Sequence, residues 1–461
     1  MAGALALFWG YRAVWDIDLG WHWALGRFIR ENGWPTVDPL GAARGDRPWT
    51  TFQGGYELLV DACMRLGGFE LVRAVHASVA AVGFALLHAF SFRLLRRQSW
   101  AWALTFLGFV LYEDRFRVRP EAFHFALVLA YLHALARPAQ SWRHALWFAP
   151  VQSAWTLLHA PASLWGLALL GAGAVGEPRN RARWAALGAS AAGLIASPHA
   201  IAGLRSAFSV HAEAGMQSQL VPEHWPLWAY LDAGLGAHGW LVVALCGVLL
   251  GVWATGAVLA ATRSAHLARW PGPLWWASAG LALFSVALAR FAWYALPAAA
   301  IGGAALRARL TAPSRAALWP TLALALWLSD AALYAVPRRI APAEGPGPAD
   351  LDWFPIRAVG FLEEEGLSGT IYTEPEWGGF VLGRLHPKVR SVTDGRIAFG
   401  AEVAALILRD TPAERANVLD ALHDRFGVTL TLRRRGAFRL GPPQGWMLLY
   451  ADARAEVWGK R

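Results

Sequence analysis

Over most of its length the chain alternates apolar runs of bilayer length with short polar connections. The runs fall at about 70–92, 99–112, 120–136, 144–159, 161–176, 184–204, 238–262, 273–290, 291–306 and 316–336. With the N-terminal run MAGALALFWGYRAVW they predict about eleven membrane helices. The N-terminal run is shorter than the ~20 residues that a bilayer core requires, so it begins within the interface or the true start lies upstream. One set of alternate connections carries Arg93, Arg96, Arg97; Arg137, Arg143; Arg179, Arg181, Arg183; Arg263, Arg269; and Arg307, Arg309, Arg315, with Glu177 its only acid. Positive charge marks that set as cytoplasmic. The other set is then extracytoplasmic: 16–69, 112–120, the corner at 159–161, 205–237, the corner at 290–291, and everything after about 337. An odd number of spans places the N-terminus in the cytoplasm and the C-terminus outside, which satisfies both the charges and the loop lengths.

The first external loop opens with WDIDLGWHWALGRFIRENG, and its Asp16 and Asp18 sit where the first helix leaves the bilayer. Trp21, Leu25, Phe28 and Ile29 recur on one helical stripe, while Asp18, His22 and Arg30 lie elsewhere. Asn32, Gly33 and Pro35 stop the helix. The pattern predicts an amphipathic interfacial helix with a carboxylate and an imidazole one turn apart, Asp18 and His22. In the plainer reading Asp18 N-caps the helix and Asp16 is solvated. An irregular Gly, Pro, Asp and Thr segment follows, then a second interfacial helix in YELLVDACMRLGG. There Tyr56, Leu58, Leu59 and Cys63 make the apolar side and Glu57 and Asp61 the polar side.

Further along, YEDRFRVRPEAF places Arg115, Arg117 and Arg119 among Glu113, Asp114 and Glu121 on the external side, against the positive-inside trend. Guanidinium groups suit bidentate recognition of phosphate, such as that of a lipid headgroup or lipid-linked donor. The alternative is pairing with the three neighbouring acids. His159 lies at an outer corner, with Pro198 and His199 at the same level. Glu223 and His224 stand between prolines in VPEHWPLW. Arg290 lies near the outer end of a span, where a charge costs about 2.5–3.5 kcal/mol unless it meets a partner or water.

A Pro and Gly linker at 337–350 leads to a change of composition. The transmembrane part, 1–340 with its external loop 16–69, is followed by a small α/β domain at 350–461. Helices are expected at IRAVGFLEEEG, AEVAALILRD and PAERANVLDALHDRF, and strands at GTIYTE, KVRSVTD, VTLTLRR, WMLLYAD and AEVWG, with FVLGRL a short helix or strand. No phosphate loop, nucleophile elbow or metal-ligand spacing occurs in it. Glu374, Trp377, Gly378, Gly379, Asp394, Gly395 and Arg396 read as contact residues or as turn chemistry.

Composition confirms the class and trims the chemistry. The chain is 461 residues long, 56% hydrophobic and only 16% charged, and contains 27 Trp, far from soluble usage. The net charge of +10 comes from small Arg groups between apolar runs, which argues against nucleic acid. Cys63 and Cys246 support neither a disulfide framework nor a cysteine metal site. The N-terminus lacks a basic leader region, so no cleavable signal peptide is expected.

An Asp-x-Asp at the end of a first membrane helix, followed by an amphipathic helix, resembles the first external loop of the C-type (GT-C) glycosyltransferases. Nearly the whole chain resembles one bacterial family of polytopic proteins related to them. The similar stretches are DIDLGWHWALGRFIRENGWPTVDP, RPEAF, the His159 corner, PEHWPL, FPIRAVGFLEEEGLSGTIYTEPEWGGFVLGRL and SVTDGR. In the better-understood enzymes the first-loop acids bind a metal or serve the acceptor, and the donor is a sugar on a polyprenyl phosphate. The chain departs where a His-Glu-Trp-Leu type run usually follows Pro48-Trp49, since Gln53, Gly54, Gly55 and Tyr56 stand there, so a weakened or non-enzymatic relative stays open.

The resemblance implies a GT-C-like polytopic protein of the bacterial inner membrane that transfers a sugar from a polyprenyl-phosphate donor to a glycan, lipid or protein acceptor outside the cytoplasm. Asp16 is then the base, and Asp18 with His22 orients the acceptor; Asp16 and Asp18 are also the candidate ligands of a divalent cation, Mg or Mn. Arg115, Arg117, Arg119 and Arg290, with Glu121, His159 and Glu223, serve the lipid phosphate. Two alternatives differ in class: a non-catalytic transporter or assembly protein for envelope lipid or polysaccharide, and a metal-independent glycan ligase.

Overall fold

The computed structural model describes residues 1–11, 16–43, 48–137, 141–213, 225–229, 236–262, 272–306, 354–396, 400–438 and 444–461. The chain is mostly helical and ends in a β-sheet domain. It divides into two compact units, Met1–Arg12 with Arg73–Ala200 and Val221–Ala341, and Ala13–Val72 with Ile201–Leu220 and Pro342–Arg461.

The expectation of about eleven spans is overturned. Among the described residues two helices, Gly54–Leu95 and Gly239–Thr262, are long and apolar enough to cross a membrane, or three if the bent pair Arg181–Ala196 and Ala200–Ser209 forms one span. The other apolar runs do fold as helices, at Gln98–Leu111, Glu121–Leu135, Ala160–Gly176 and Gly272–Ala287. None of these four exceeds 17 residues, about 25 Å of helix against the ~30 Å of a hydrocarbon core. The run expected at 291–306 begins instead with a 3₁₀ segment, Ala289–Tyr294, before the helix Ala295–Leu306. The run at 316–336 lies outside the described residues.

In the first unit, helices pack around an aromatic core that includes Phe84, Phe109, Tyr112, Phe125, Trp155 and Trp293. Buried Gln152 ties three helices together: Tyr131 and Ser190 hydroxyls donate to its Oε1 at 3.0 and 2.8 Å, and its amide donates to the Ser163 carbonyl at 2.7 Å. The long helix Gly54–Leu95 is broken at Gly67 and Gly68, where the backbone leaves helical geometry. The amphipathic piece that carries Glu57 and Asp61 therefore ends before the apolar stretch that can span a membrane.

In the second unit, helix Leu19–Asn32 ends at Gly33, whose φ of +84° suits glycine. Its stripe is buried within the protein, where Trp21, Ala24, Leu25 and Ile29 pack with Leu40, Trp49 and Leu382. Five strands, β1 (Gly369–Thr373), β2 (Val389–Ser391), β3 (Val428–Arg434), β4 (Trp446–Ala451) and β5 (Ala455–Lys460), form one sheet in the order β2-β1-β3-β5-β4. The β2, β1 and β3 neighbours are parallel, whereas β5 pairs antiparallel with both β3 and β4. The sheet feeds two cores. Ile371, Leu430, Leu432 and Val457 pack with helices Ile356–Glu364 and Pro375–Leu385. Tyr372 and Val428 pack instead with Leu406, Val418 and Leu422 of helices Gly400–Leu408 and Arg415–Phe426. Residues of the first loop extend the sheet at its β2 edge: Gly41 bridges Ser391 in parallel, the Ala42 N–H donates to the Ser391 carbonyl at 2.8 Å, and the Arg390 guanidinium donates to the Gly41 carbonyl at 2.6 Å.

Candidate functional site

The two acids of the first loop are buried, not solvated. The Asp18 N–H donates to Asp16 Oδ1 at 2.8 Å, which closes a tight turn at the start of helix Leu19–Asn32. Asp18 occupies the N-cap position, but its side chain makes no capping bond; its Oδ1 accepts the Trp21 indole N–H at 3.0 Å. The plain capping role is thus replaced by a contact with the next turn's aromatic ring. Asp16 also borders a cleft of about 350 Å³ whose other walls include Leu19, Trp23, Phe69, Phe354 and Phe380, with Arg384 as a second charge.

The ring of His22 lies against Trp21, centroids 3.6 Å apart, and its Nδ1 is 3.8 Å from Glu57 Oε1. Glu57 is fully buried, not on a solvated polar face, and Thr51 Oγ1 donates to its Oε1 at 2.8 Å. It stands ahead of the break at Gly67 and Gly68, outside the span. Burial pushes its carboxyl up to about 8 against the opposing pull of the Thr51 hydroxyl and the charge of Arg396, so it carries its proton at neutral pH. The stretch after Pro48-Trp49 thus does bring an acid into this site. Asp61, also buried, is paired with Arg30 at 2.7 Å and Arg65 at 3.3 Å.

Glycines of the C-terminal domain hold the acidic turn from below. A Cβ on Gly379 would lie 2.3 Å from the Ile17 carbonyl oxygen, one on Gly20 would lie 2.0 Å from that of Gly379, and one on Gly395 would lie 2.0 Å from Asp18 Oδ1. Beside Gly395, the guanidinium of Arg396 bridges two chain regions, donating to Asp38 Oδ1 at 2.7 Å and to Asp394 Oδ2 at 2.6 Å while it lies over the Trp49 and Trp21 rings. Burial would raise the Asp38 carboxyl, but Arg396 and the N–H groups of Leu40 and Gly41 outweigh it and hold the pKa below the usual value. Nearby, His386 Nε2–H donates to the Pro39 carbonyl at 3.3 Å, and burial depresses its pKa to about 4.

Most of the expected phosphate-binding residues come together in the first unit. Arg290 donates to Glu121 Oε1 at 2.6 Å, and Arg119, His159 and Arg115 all lie within electrostatic reach of the same carboxylate. Arg117 is half-buried in the same connection, where its carbonyl accepts the Arg119 N–H at 2.9 Å. His159 also has a local structural duty, since its Nδ1 accepts the Ala162 N–H at 3.1 Å and caps helix Ala160–Gly176. Among the neighbouring acids, Glu121 accepts from Arg290, and Glu113 accepts the Trp9 indole N–H at 2.6 Å. Next to the cluster, His124 Nε2 meets the Tyr294 hydroxyl within a cage of Trp155, Phe291 and Trp293. Glu223 lies outside the described residues.

Among the described residues no three of His, Cys, Asp or Glu gather to hold a metal ion. Asp16 and Asp18 alone fit only the open mode in which a hard cation takes one or two carboxylates, water and a substrate phosphate. From the sequence, Glu57 reads only as part of a polar helix face and Arg396 only as a contact or turn residue. Arg396 sits in a Thr-Asp-Gly-Arg stretch that reads as a turn, and only its partner Asp38, far away in sequence, reveals the ion pair.

No family model matches the chain, and no curated protein matches it. Solved structures do. ArnT from Cupriavidus metallidurans, in the apo state, aligns over 99% of this chain and 96% of its own with a TM-score of 0.55 at 15% identity. The Archaeoglobus fulgidus oligosaccharyltransferase, tethered to an acceptor peptide containing the NVT sequon, aligns over 100% of this chain and 74% of its own with a TM-score of 0.52 at 11% identity. Likeness at such identities speaks for the fold alone: the chain shares the fold of these two proteins over nearly its whole length.

Proposed function

We propose that this protein is a membrane glycosyltransferase that moves a sugar from a polyprenyl-phosphate donor to an acceptor hydroxyl on the extracytoplasmic side. The observation that carries this reading is the buried Asp16–Asp18 turn, with Asp16 on the wall of a largely aromatic cleft, in a chain that shares the fold of ArnT over nearly its whole length. A hydroxyl is a weak nucleophile, so a carboxylate must take its proton as the glycosidic bond forms. Asp16 is the base. Asp18, fixed by Trp21, orients the acceptor, and His22 packs behind it. Arg290, Arg119, Arg115 and Arg117, with His159, neutralise the departing phosphate, where charge builds up in the transition state. Glu121 orients Arg290 through their ion pair. A divalent cation, where one is used, would be held by Asp16 and Asp18 together with substrate phosphate and would supply further charge neutralisation.

The C-terminal domain and the first loop face the extracytoplasmic side in this reading, and the N-terminus faces the cytoplasm. A topology reporter fused after Arg461 and active only in the cytoplasm would overturn that placement. The activity is tested with purified protein in liposomes, offered a panel of radiolabelled polyprenyl-phosphate hexoses and pentoses with membrane-lipid and glycan acceptors. Transfer should disappear in Asp16→Asn and fall steeply in Asp18→Asn; full activity in both variants would sink the assignment. Transfer that survives complete chelation would favour a metal-independent ligase.

A further inference from the structure

We infer that the Asp394–Gly395–Arg396 turn of the C-terminal domain is the seat of the Asp18 carboxylate, so that this domain sets the geometry of the acidic turn. The inference rests on the proposed role of Asp16 and Asp18.

Two contacts converge on one carboxylate oxygen, and a third side chain braces them. Trp21 donates its indole N–H to Asp18 Oδ1 from one side. Gly395 presses on the same oxygen so closely that a single added methyl would overlap it at 2.0 Å. Arg396, the next residue, stacks beneath the Trp21 ring and is locked by bonds to Asp394 and Asp38. The seat itself is rigid. The Arg396 N–H donates to Asp394 Oδ1 at 2.9 Å, which closes the turn, and a Cβ on Gly378 would lie 2.0 Å from the Thr393 carbonyl oxygen, so the helix Pro375–Leu385 presses on the residue before Asp394. Gly20, Gly379 and Gly383 differ in kind, since they bring backbone against backbone and would serve packing in any protein. Gly395 touches a side-chain atom of the proposed site. A turn needed only for packing could carry a methyl pointed at apolar neighbours, whereas here the excluded volume is occupied by a carboxylate oxygen. Gly395 is therefore a positioning residue, and Trp21 and Arg396 hold the two sides of its seat.

The test uses the full-length protein in detergent or liposomes and compares Gly395→Ala with Gly360→Ala. Gly360 lies in helix Ile356–Glu364 of the same domain and has open space around its Cα. Two readouts are taken: carbodiimide-driven amidation of Asp18 by peptide mass spectrometry, with Asp452 as internal reference, and transfer from the same panel of polyprenyl-phosphate sugars. Gly395→Ala should raise Asp18 amidation severalfold and lower kcat on the order of 10²-fold while KM for the donor holds, because misplacement of a reacting group by about 1 Å costs that much. Gly360→Ala should change neither. Where Gly395→Ala does not fold, Trp21→Phe removes the N–H, keeps an aromatic ring, and should move both readouts in the same direction. If no donor is turned over by the wild type yet Asp18 amidation still responds to these variants, the seat stands and the transferase reading falls. If transfer is found and neither Asp18 amidation nor kcat responds to Gly395→Ala or Trp21→Phe, the inference is overturned.

Discussion

Replacing Glu57 by Gln should leave the protein stable at neutral pH and remove a loss of stability that the wild type suffers in mild alkali. Burial raises the Glu57 carboxyl from 4.5 to about 8, so between those pH values the folded chain holds a proton that the unfolded chain releases. The sign follows from linkage: where the folded state binds more protons, stability falls as pH rises. The full interval corresponds to about 5 kcal/mol, a ceiling set by complete burial and by the absence of relaxation around the ionised group. Gln keeps the acceptor for the Thr51 hydroxyl and puts an amide where Glu57 Oε2 now lies buried without a hydrogen-bond partner. Apparent Tm in detergent, scanned from pH 6.5 to 9 so that His386 does not contribute, should decline for the wild type toward pH 8 and stay nearly flat for Glu57→Gln. A wild-type profile that rises over this range, or a variant profile parallel to it, would refute the argument that Glu57 is a buried neutral acid.

His386 acts in the opposite direction. Its pKa of about 4 lies below the usual 6.5, so stability should fall as pH drops from 6.5 toward 4, by up to about 3 kcal/mol, and His386→Gln should flatten that acid limb in a melting series taken from pH 6.5 down to 4. Arg396→Met leaves Asp38 and Asp394 buried without their cation; it should cost about 3–5 kcal/mol, read as loss of cooperative melting in the second unit. Gly20→Ala should destabilise the same unit, because its methyl meets the Gly379 carbonyl oxygen; limited proteolysis would show early cleavage in the first loop. Arg290→Ala should weaken binding of a polyprenyl phosphate far more than it lowers Tm, since it removes a cation from the cluster while Arg119 and Arg115 still act on Glu121; equal donor affinity would remove Arg290 from the proposed phosphate site.

Periodicity within a single element was the legible part. The apolar stripe Trp21, Leu25 and Ile29 and the stop at Gly33 were readable because helix period and left-handed glycine are local properties. Strands β1, β3, β4 and β5 alternate or run apolar in the same readable way. Span number was not readable, because an apolar run gives composition and not the length of the helix it forms: the run at 99–112 folds as the 14-residue helix Gln98–Leu111, and that at 144–159 as the 11-residue helix Phe148–Leu158. Nor does the sequence around Glu57 disclose its burial, which depends on Gly26 letting the helix Leu19–Asn32 come against the Glu57 carbonyl. Arg115, Arg119, Glu121 and His159 could be grouped by their place at one end of their helices, and Arg290 by its cost in an apolar run. Gly395 could not, since a glycine in a Thr-Asp-Gly-Arg stretch reads as a turn until its neighbour across the fold is known.

The strand-like pairing of Gly41 and Ala42 with Ser391 bears on how the protein is made. During synthesis the first loop emerges some hundreds of residues before the edge it must join, and until then Asp38 has no Arg396 and Asp18 has no seat. The acidic turn is therefore completed only after β2 and the turn that follows it have been made. A nascent or truncated chain would carry every first-loop acid and still lack Arg396 beside Asp38 and Gly395 against Asp18.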